Sequence, residues 1–497
     1  MQKTTFLLLI AFFAVSAPVR AVTFDPSVRY SVTLINARMT EWNNKSKTVG
    51  FSNTASTNGK TDPATIATWD YVPGVVAKGI LETWYYYQEQ SFAEPWFEGL
   101  SVWAASNYTK VPVNGGSLDD LNCAKVFFRL YDGAKAGGKY ADAAKAANWL
   151  TALNSAAMGL TAHDAQYSIS SEDGVANGGW FHKSNYENQM WCDGAYMGPA
   201  LLAQLLAYKH ETDNDGNGAT TINCPLGWDE VMDQFTSSWY PLWDSEKQLL
   251  WHAYSTDKSS GYAGDWLYAG GQLPIGGGYH SAEYWSRANG WYIMSLVDVL
   301  EAMEQVGKKG DADYTLLLGF LRDLANGLVA RQDAASGCWF QLLQYDDTKC
   351  ATSADDTGSS STTNGGKQCN YLESSGSCLI VGALLKAIRL GYLDSTVYGE
   401  KAKKGFEGIV TNFVQGAAGN YTISASCESA GVGNGRNGSA AYYLIGKDVG
   451  INDKTEGKAF GPFLMAAVEY ERAYMPLVPD APESDCQCLS VTLIPNE

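Results

Sequence analysis

His182 and Asp193 stand eleven positions apart in GGWFHKSNYENQMWCDGAYMGPALLAQ, where Asp193 is a lone carboxylate among Met, Trp, Cys, Tyr and small residues. Desolvation disfavours the charged form of an acid, so Met190, Trp191 and Tyr196 are expected to raise Asp193 from about 3.9 and make it a proton donor. Once ionised, the same group can orient and deprotonate a water. The competing reading is a buried carboxylate satisfied by backbone N–H groups. Asp119 and Asp120 open a helix in SLDDLNCAK, where they serve either as cap and dipole partners or as like charge beside Asp193. Arg287 lies between Trp285 and Trp291 in EYWSRANGW, placed for cation–π contact and for a forked bond to a carboxylate. There are five histidines; His252 in LLWHAYS joins His182 as a site candidate, while His163, His210 and His280 read as structural or surface residues. The sequence contains no HExxH, EF-hand loop, clustered His/Asp ligands, GxSxG elbow or phosphate loop in a suitable setting. The expected chemistry therefore uses no metal and no cofactor.

Apolar residues recur at helical spacing over roughly 70–88, 94–107, 118–133, 140–156, 187–209, 227–240, 283–306, 312–332, 374–391, 396–414 and 457–473. Almost nothing alternates as a strand does, so the class is all-α. About a dozen helices in antiparallel pairs, with no Pro- or Ser-rich linker, suit one toroid of helical hairpins over residues 22–474. No fixed-period repeat favours a solenoid. Several connections are long and carry Gly with Trp, Tyr and His, as binding loops do; the 16 Trp and 29 Tyr suit stacking on sugar faces as well as filling a core.

The opening MQKTTFLLLIAFFAVSAPVRA reads as a signal peptide cut after Ala21, and residues 475–497 as a tail. No later stretch has the length and apolarity of a membrane span, so export to the periplasm or the medium is expected. In an oxidising compartment the ten cysteines become disulfide candidates, with Cys350 and Cys369 placed to pin the polar loop between them. Asn44, Asn107, Asn420 and Asn437 begin glycosylation triplets. The net charge of −18, without a Lys/Arg cluster, excludes a nucleic-acid partner but not a small acidic ligand met by a buried Arg or His. No obligate protein partner is evident.

WDYVPGVVAKGILETWYYY, the His182–Asp193 segment, LLWHAYS, YWSRANGWYIMSLVDVLE, ESSGSCLIVGALLKAIRLGYL and NDKTEGKAFGPFLMAAVEYE together resemble the unsaturated rhamnogalacturonyl hydrolases, relatives of the unsaturated glucuronyl hydrolases. The matches follow family order from about residue 68 to 473. Cys192 and Ala288 depart from the usual pattern without removing a chemical group, and the loops at 255–282 and 350–369 exceed a minimal member.

The resemblance implies an (α/α)6 barrel and a substrate whose terminal uronic acid carries a C4=C5 double bond. Protonation at C4 would create an oxocarbenium-like centre at C5, water would add there, and the resulting hemiketal would open. One carboxylate, Asp193, serves both steps, so the spacing rule for paired glycosidase carboxylates does not apply. The resemblance further assigns Tyr71, His182, His252, Trp285, Arg287 and Trp291 to sugar binding, with Asp119 or Asp120 in support. Alternatives are an unsaturated glucuronyl hydrolase acting on glycosaminoglycan fragments, a carbohydrate-binding protein of the same fold without catalysis, and, more weakly, a sugar epimerase.

Overall fold

The computed structural model describes residues 22–46, 69–170, 176–214, 221–256, 279–352, 354–355, 367–417, 421–433, 435–446, 448–452 and 457–477. The expected leader, most of the 255–282 loop, the middle of the 350–369 insert, and Cys486 and Cys488 lie outside them. In chain order the helices are α1 (Tyr30–Ser46), α2 (Tyr71–Tyr87), α3 (Glu94–Ala105), α4 (Leu118–Asn122), α5 (Val126–Ala134), α6 (Ala143–Gln166), α7 (Cys192–Met197) and α8 (Pro199–Asn214). They continue as α9 (Trp228–Leu242), α10 (Ser286–Gln305), α11 (Ala312–Ala330), α12 (Ser374–Arg389), α13 (Ser395–Phe413), α14 (Ala440–Ile445) and α15 (Gly457–Tyr474). Among the described residues no helix is long and apolar enough to cross a membrane.

Burial separates two rings. In α10 every residue from Ser286 to Leu300 is buried, as in a helix with protein on all sides. In α6 only a stripe is buried, running through Trp149, Leu153, Ala156 and Leu160, which marks an outer helix. The inner contacts close on themselves: α2 meets α4 and α5, α4 meets α7, α7 and α8 meet α10, and α10, α12 and α15 follow in turn until α15 returns to α2. Helices α3, α6, α9, α11 and α13 each back the preceding inner helix, and α1 backs α15. Six hairpins in a closed ring make an (α/α)6 barrel. Small residues set the closure: a Cβ on Gly79 would lie 2.6 Å from Gly461 O, and one on Gly461 would lie 2.5 Å from Val75 O. Helices α2 and α15 thus touch backbone to backbone.

All inner helices run in the same direction. Tyr71, Asp119, Asp193 and Arg287, from the first turns of α2, α4, α7 and α10, line one mouth. Residues from the later turns of α2, α10, α12 and α15, among them Glu82, Asp298, Lys386 and Glu469, line the other. Helix C-termini carry partial negative charge, and cations gather there. Lys78 and Lys386 approach Asp298 at 3.7 and 2.6 Å, Lys386 also reaches Glu301 at 2.6 Å, and Arg129 forks onto Glu82. Lys125 lies over the Tyr196 ring, 3.5 Å from its centre, and donates to the Tyr196 carbonyl. Burial alone would raise the Asp298 carboxyl, but Lys386, Lys78 and Lys125 outweigh it and hold it low.

Of the ten cysteines, Cys350 and Cys369 form the expected bridge, closing a hairpin between strands Cys350–Thr352 and Lys367–Cys369. Cys123, Cys192, Cys224, Cys338, Cys378 and Cys427 are buried free thiols, which corrects the reading of all ten as disulfide candidates: they fill the core as small apolar side chains. Asn107 is likewise no glycosylation acceptor, because it is buried and its amide donates to Trp103 O at 2.7 Å.

Removing one charge from a buried network leaves its partners uncompensated. Asp298→Asn is therefore expected to lower unfolding free energy by about 3–5 kcal/mol. Asp298→Asn combined with Lys386→Met should recover part of that loss, as measured by denaturant titration.

Candidate active site

Two short pairings build the site at the N-terminal mouth. Strand Gln189–Trp191 runs antiparallel to strand Ala253–Ser255, with Trp191 opposite Ala253. Asp193 follows the first strand and His252 precedes the second, so the register brings them together. Cys192 N donates to His252 O at 2.9 Å, and His252 Nε2 lies 3.2 Å from Asp193 Oδ2. The last two atoms are close without the alignment of a hydrogen bond. His252 Nδ1 is 2.5 Å from the Tyr443 hydroxyl.

The second pairing is an antiparallel bridge between Ser117 and Lys183, with Leu118 N donating to His182 O at 3.2 Å. It sets Asp119 Oδ1 3.2 Å from His182 Nε2 and Oδ2 2.6 Å from Lys183 Nζ. Burial would raise the Asp119 carboxyl, but the adjoining His182 and Lys183 outweigh it and hold it well below the usual range. His182 stacks on Trp191 at 4.9 Å with rings nearly parallel, and the Tyr186 ring also lies nearly parallel to Trp191 at 5.0 Å.

A cavity of about 230 Å³ opens between these groups, lined by Tyr71, Asp119, His182, Lys183, Tyr186, Trp191, Asp193, Trp285, Arg287 and Arg436, with Met197 and the Ser429–Gly431 loop. A wider cavity of about 840 Å³ lies at the opposite mouth, where Asp132 already pairs with Arg129 and Lys135. The candidate chemistry belongs to the smaller one.

The expected residues divide as follows. Tyr71, Asp119, His182, Asp193, Trp285 and Arg287 line the cavity, and His252 touches Asp193 from behind. Asp120 is not among the lining residues; burial and the Asp119 charge raise its carboxyl. Trp291 is one turn too deep and packs on Tyr196 at 4.6 Å inside the barrel. Arg287 is 1% exposed and already engaged: Nε donates to Ser375 Oγ at 2.6 Å, Nη2 donates to Cys427 O, and Glu373 lies 3.6 Å away. Trp285 takes the expected cation–π position at 5.0 Å. Sequence reasoning passed over Lys183, Tyr186, Arg436 and Tyr443. The HK pair was a usable signal for Lys183; Arg436 lies in the loop before α14 and Tyr443 within that short helix, neither in a marked pattern.

The chain belongs to Glycosyl Hydrolase Family 88, whose model matches residues 46–474. That makes it a glycoside hydrolase. Protein Atu3128 of Agrobacterium fabrum is 30% identical over 201 residues, 38% of this chain and 72% of that protein. The unsaturated rhamnogalacturonyl hydrolase YesR of Bacillus subtilis is 23% identical over 170 residues, 34% of this chain and 39% of that one. A family 105 glycoside hydrolase of C. acetobutylicum superposes with a TM-score of 0.61 at 25% identity, covering 90% of this chain and 100% of its own. An unsaturated glucuronyl hydrolase specific for heparin shares the fold, with a TM-score of 0.55 at 13% identity over 90% of this chain and 97% of its own.

His163 ties the second pairing to α6. Its Nδ1 accepts from Gly116 N at 3.3 Å and its Nε2 donates to Phe181 O at 2.8 Å, one residue before His182. Gly115 beside it has a φ of +70°, and a Cβ there would lie 2.8 Å from the His163 backbone. Burial lowers His163 to about 4, so the neutral ring is the folded form. Its contribution is complete above the unfolded value of about 6.5 and declines as pH falls toward 4, by roughly 3 kcal/mol in total. Wild type should thus lose more stability than His163→Gln between pH 7 and pH 4.5, as read by denaturant midpoints.

Proposed function

We propose that this hydrolase releases the non-reducing terminal 4,5-unsaturated galacturonic acid from lyase-generated rhamnogalacturonan oligosaccharides, by hydrating the C4=C5 bond. The observation that carries the reading is the unequal treatment of two carboxylates at one cavity. Asp119 is held as an anion by His182 and Lys183. Asp193 has a single imidazole beside it and is the group left to move a proton. It donates to C4, and the fixed negative charge of Asp119 favours the oxocarbenium-like centre that forms at C5. Asp193, now ionised, takes a proton from the water that attacks C5; the hemiketal opens and the glycosidic bond breaks.

Lys183 and Arg436 line the same cavity, which suits an anionic sugar, and Trp191 and Tyr186 offer flat faces to a ring. The rhamnogalacturonan preference draws on the likeness to YesR. Export, as the leader at residues 1–21 implies, would place the enzyme where lyase products arise.

The test follows the ultraviolet absorbance of the conjugated uronate during action on unsaturated rhamnogalacturonan disaccharide. Wild type is expected to remove it, and Asp193→Asn to slow kcat by about 10²–10⁴-fold. Loss of absorbance with unsaturated glucuronyl disaccharides alone would transfer the substrate assignment to those sugars. Equal rates for wild type and Asp193→Asn would remove Asp193 from the chemistry.

A further inference from the structure

We infer that Tyr443 is a positioning residue for this reaction: its hydroxyl fixes the tautomer of His252 and thereby the proton that faces Asp193. The kinetic part of this inference rests on the reading of Asp193 given above; the tautomer itself does not. A neutral imidazole carries one proton, and the partner of one ring nitrogen decides where it resides. His252 Nδ1 faces the Tyr443 hydroxyl at 2.5 Å, while Nε2 faces Asp193 Oδ2 at 3.2 Å. A phenol can donate or accept, so the direction follows from the other ring nitrogen: Nε2 faces a carboxylate oxygen, an acceptor, and a proton on Nε2 leaves Nδ1 to accept from the Tyr443 O–H, which burial keeps protonated. The imidazole proton then lies on Nε2 and points at Oδ2.

This arrangement sorts the two oxygens of Asp193. Oδ2 accepts from His252, leaving Oδ1 to carry the proton delivered to C4 and to receive one from water. In the opposite tautomer the Nε2 lone pair would face the carboxylate and repel it, or draw the acid proton onto Oδ2. Alignment between Nε2 and Oδ2 is incomplete in this structure, and catalytic hydrogen bonds commonly tighten only when substrate is bound.

The support around Tyr443 is built for position. Ser439 caps α14 by accepting from Tyr442 N at 3.1 Å, and Gly431 N donates to the Tyr442 hydroxyl at 3.0 Å. Gln341 donates to Tyr443 O at 3.4 Å, while its Oε1 accepts from Trp285 Nε1 at 3.1 Å. The Cys350–Cys369 hairpin packs against α14 from outside. His252 is held between the rings of Trp191 and Trp285, so the hydroxyl meets an imidazole with little freedom to turn.

The direct test is ¹⁵N NMR of histidine-labelled protein, with the His252 signals assigned by their loss in His252→Asn. Wild type is expected to show a protonated Nε2 and an Nδ1 that accepts a hydrogen bond, and Tyr443→Phe, which keeps the ring, to show mixed tautomers. A protonated Nδ1 in wild type overturns the inference without any variant, as does an unchanged tautomer in Tyr443→Phe. In the kinetic arm Tyr443→Phe should lower kcat about 10- to 100-fold with KM within about twofold. It should add nothing in a His252→Asn background, because coupled residues are not additive. Full additivity would overturn the relay. An inactive wild type would instead sink the proposed reaction, with the NMR result still deciding the tautomer.

Discussion

The shared direction of the inner helices organises charge throughout the barrel. Each helix brings roughly half a positive charge to its N-terminus and half a negative charge to its C-terminus. With the inner helices starting at one mouth, Asp119 and Asp193 stand in the first turns of α4 and α7, and Glu373 caps α12 by accepting from Ser375 N and Gly376 N. At the other mouth the polarity reverses, and Lys78, Lys386, Arg129 and Arg389 occupy the ground where a ring of bare C-termini would repel itself. An acidic protein can therefore still present a cavity with cationic side chains in its wall. The net charge of −18 is spread over a screened surface, while the dipoles, Lys183 and Arg436 act at contact range.

The helices alone do not make the site. Inner helices supply depth and a common direction, but the relative placement of the two carboxylates comes from short strand pairings laid across the mouth. One register puts His252 behind Asp193; one bridge puts His182 and Lys183 around Asp119. His163 then fixes the second pairing from below through both ring nitrogens. Asp193 stands among apolar neighbours because strand and helix meet there, and Trp191 serves both as strand residue and as the plate on which His182 stacks.

The helical class, the hairpin architecture and most helix positions were legible because inner helices read as broad apolar stripes bounded by Gly, Asn and Asp. Helix α1 was not: much of Tyr30–Ser46 is polar, and it is helical because it docks on α15. Within the site, Asp193 and His182 were legible as polar groups in apolar or aromatic company. The choice between Asp119 and Asp120 was not, since adjacent residues on a helix point about 100° apart and only the Ser117–Lys183 bridge decides which faces the cavity. Trp291 misled for the same reason: spacing placed it near Arg287, but the turn carries it down toward Tyr196. Tyr443 gave no signal, because its importance arises from a long-range approach to His252 across 191 positions of chain.

The engagement of Arg287 has a further consequence for how the mouth is held. Its guanidinium meets Ser375 and Glu373 at the start of α12 and Cys427 O in the short strand Ser426–Cys427 beyond α13, so it joins α10, α12 and the segment leading to α14. Glu373 in turn accepts from Cys427 N at 2.9 Å as well as from its own helix. A buried pair satisfied in this way is of little use as a net source of stability but strongly penalises any other geometry, since either partner alone would be an uncompensated charge. The same residues that open the cavity to substrate therefore also define its wall. The loop beyond Cys427 that carries Ser429–Gly431 and Arg436 begins from a fixed point, and the rigid inner ring extends its precision into the part of the cavity formed by that loop.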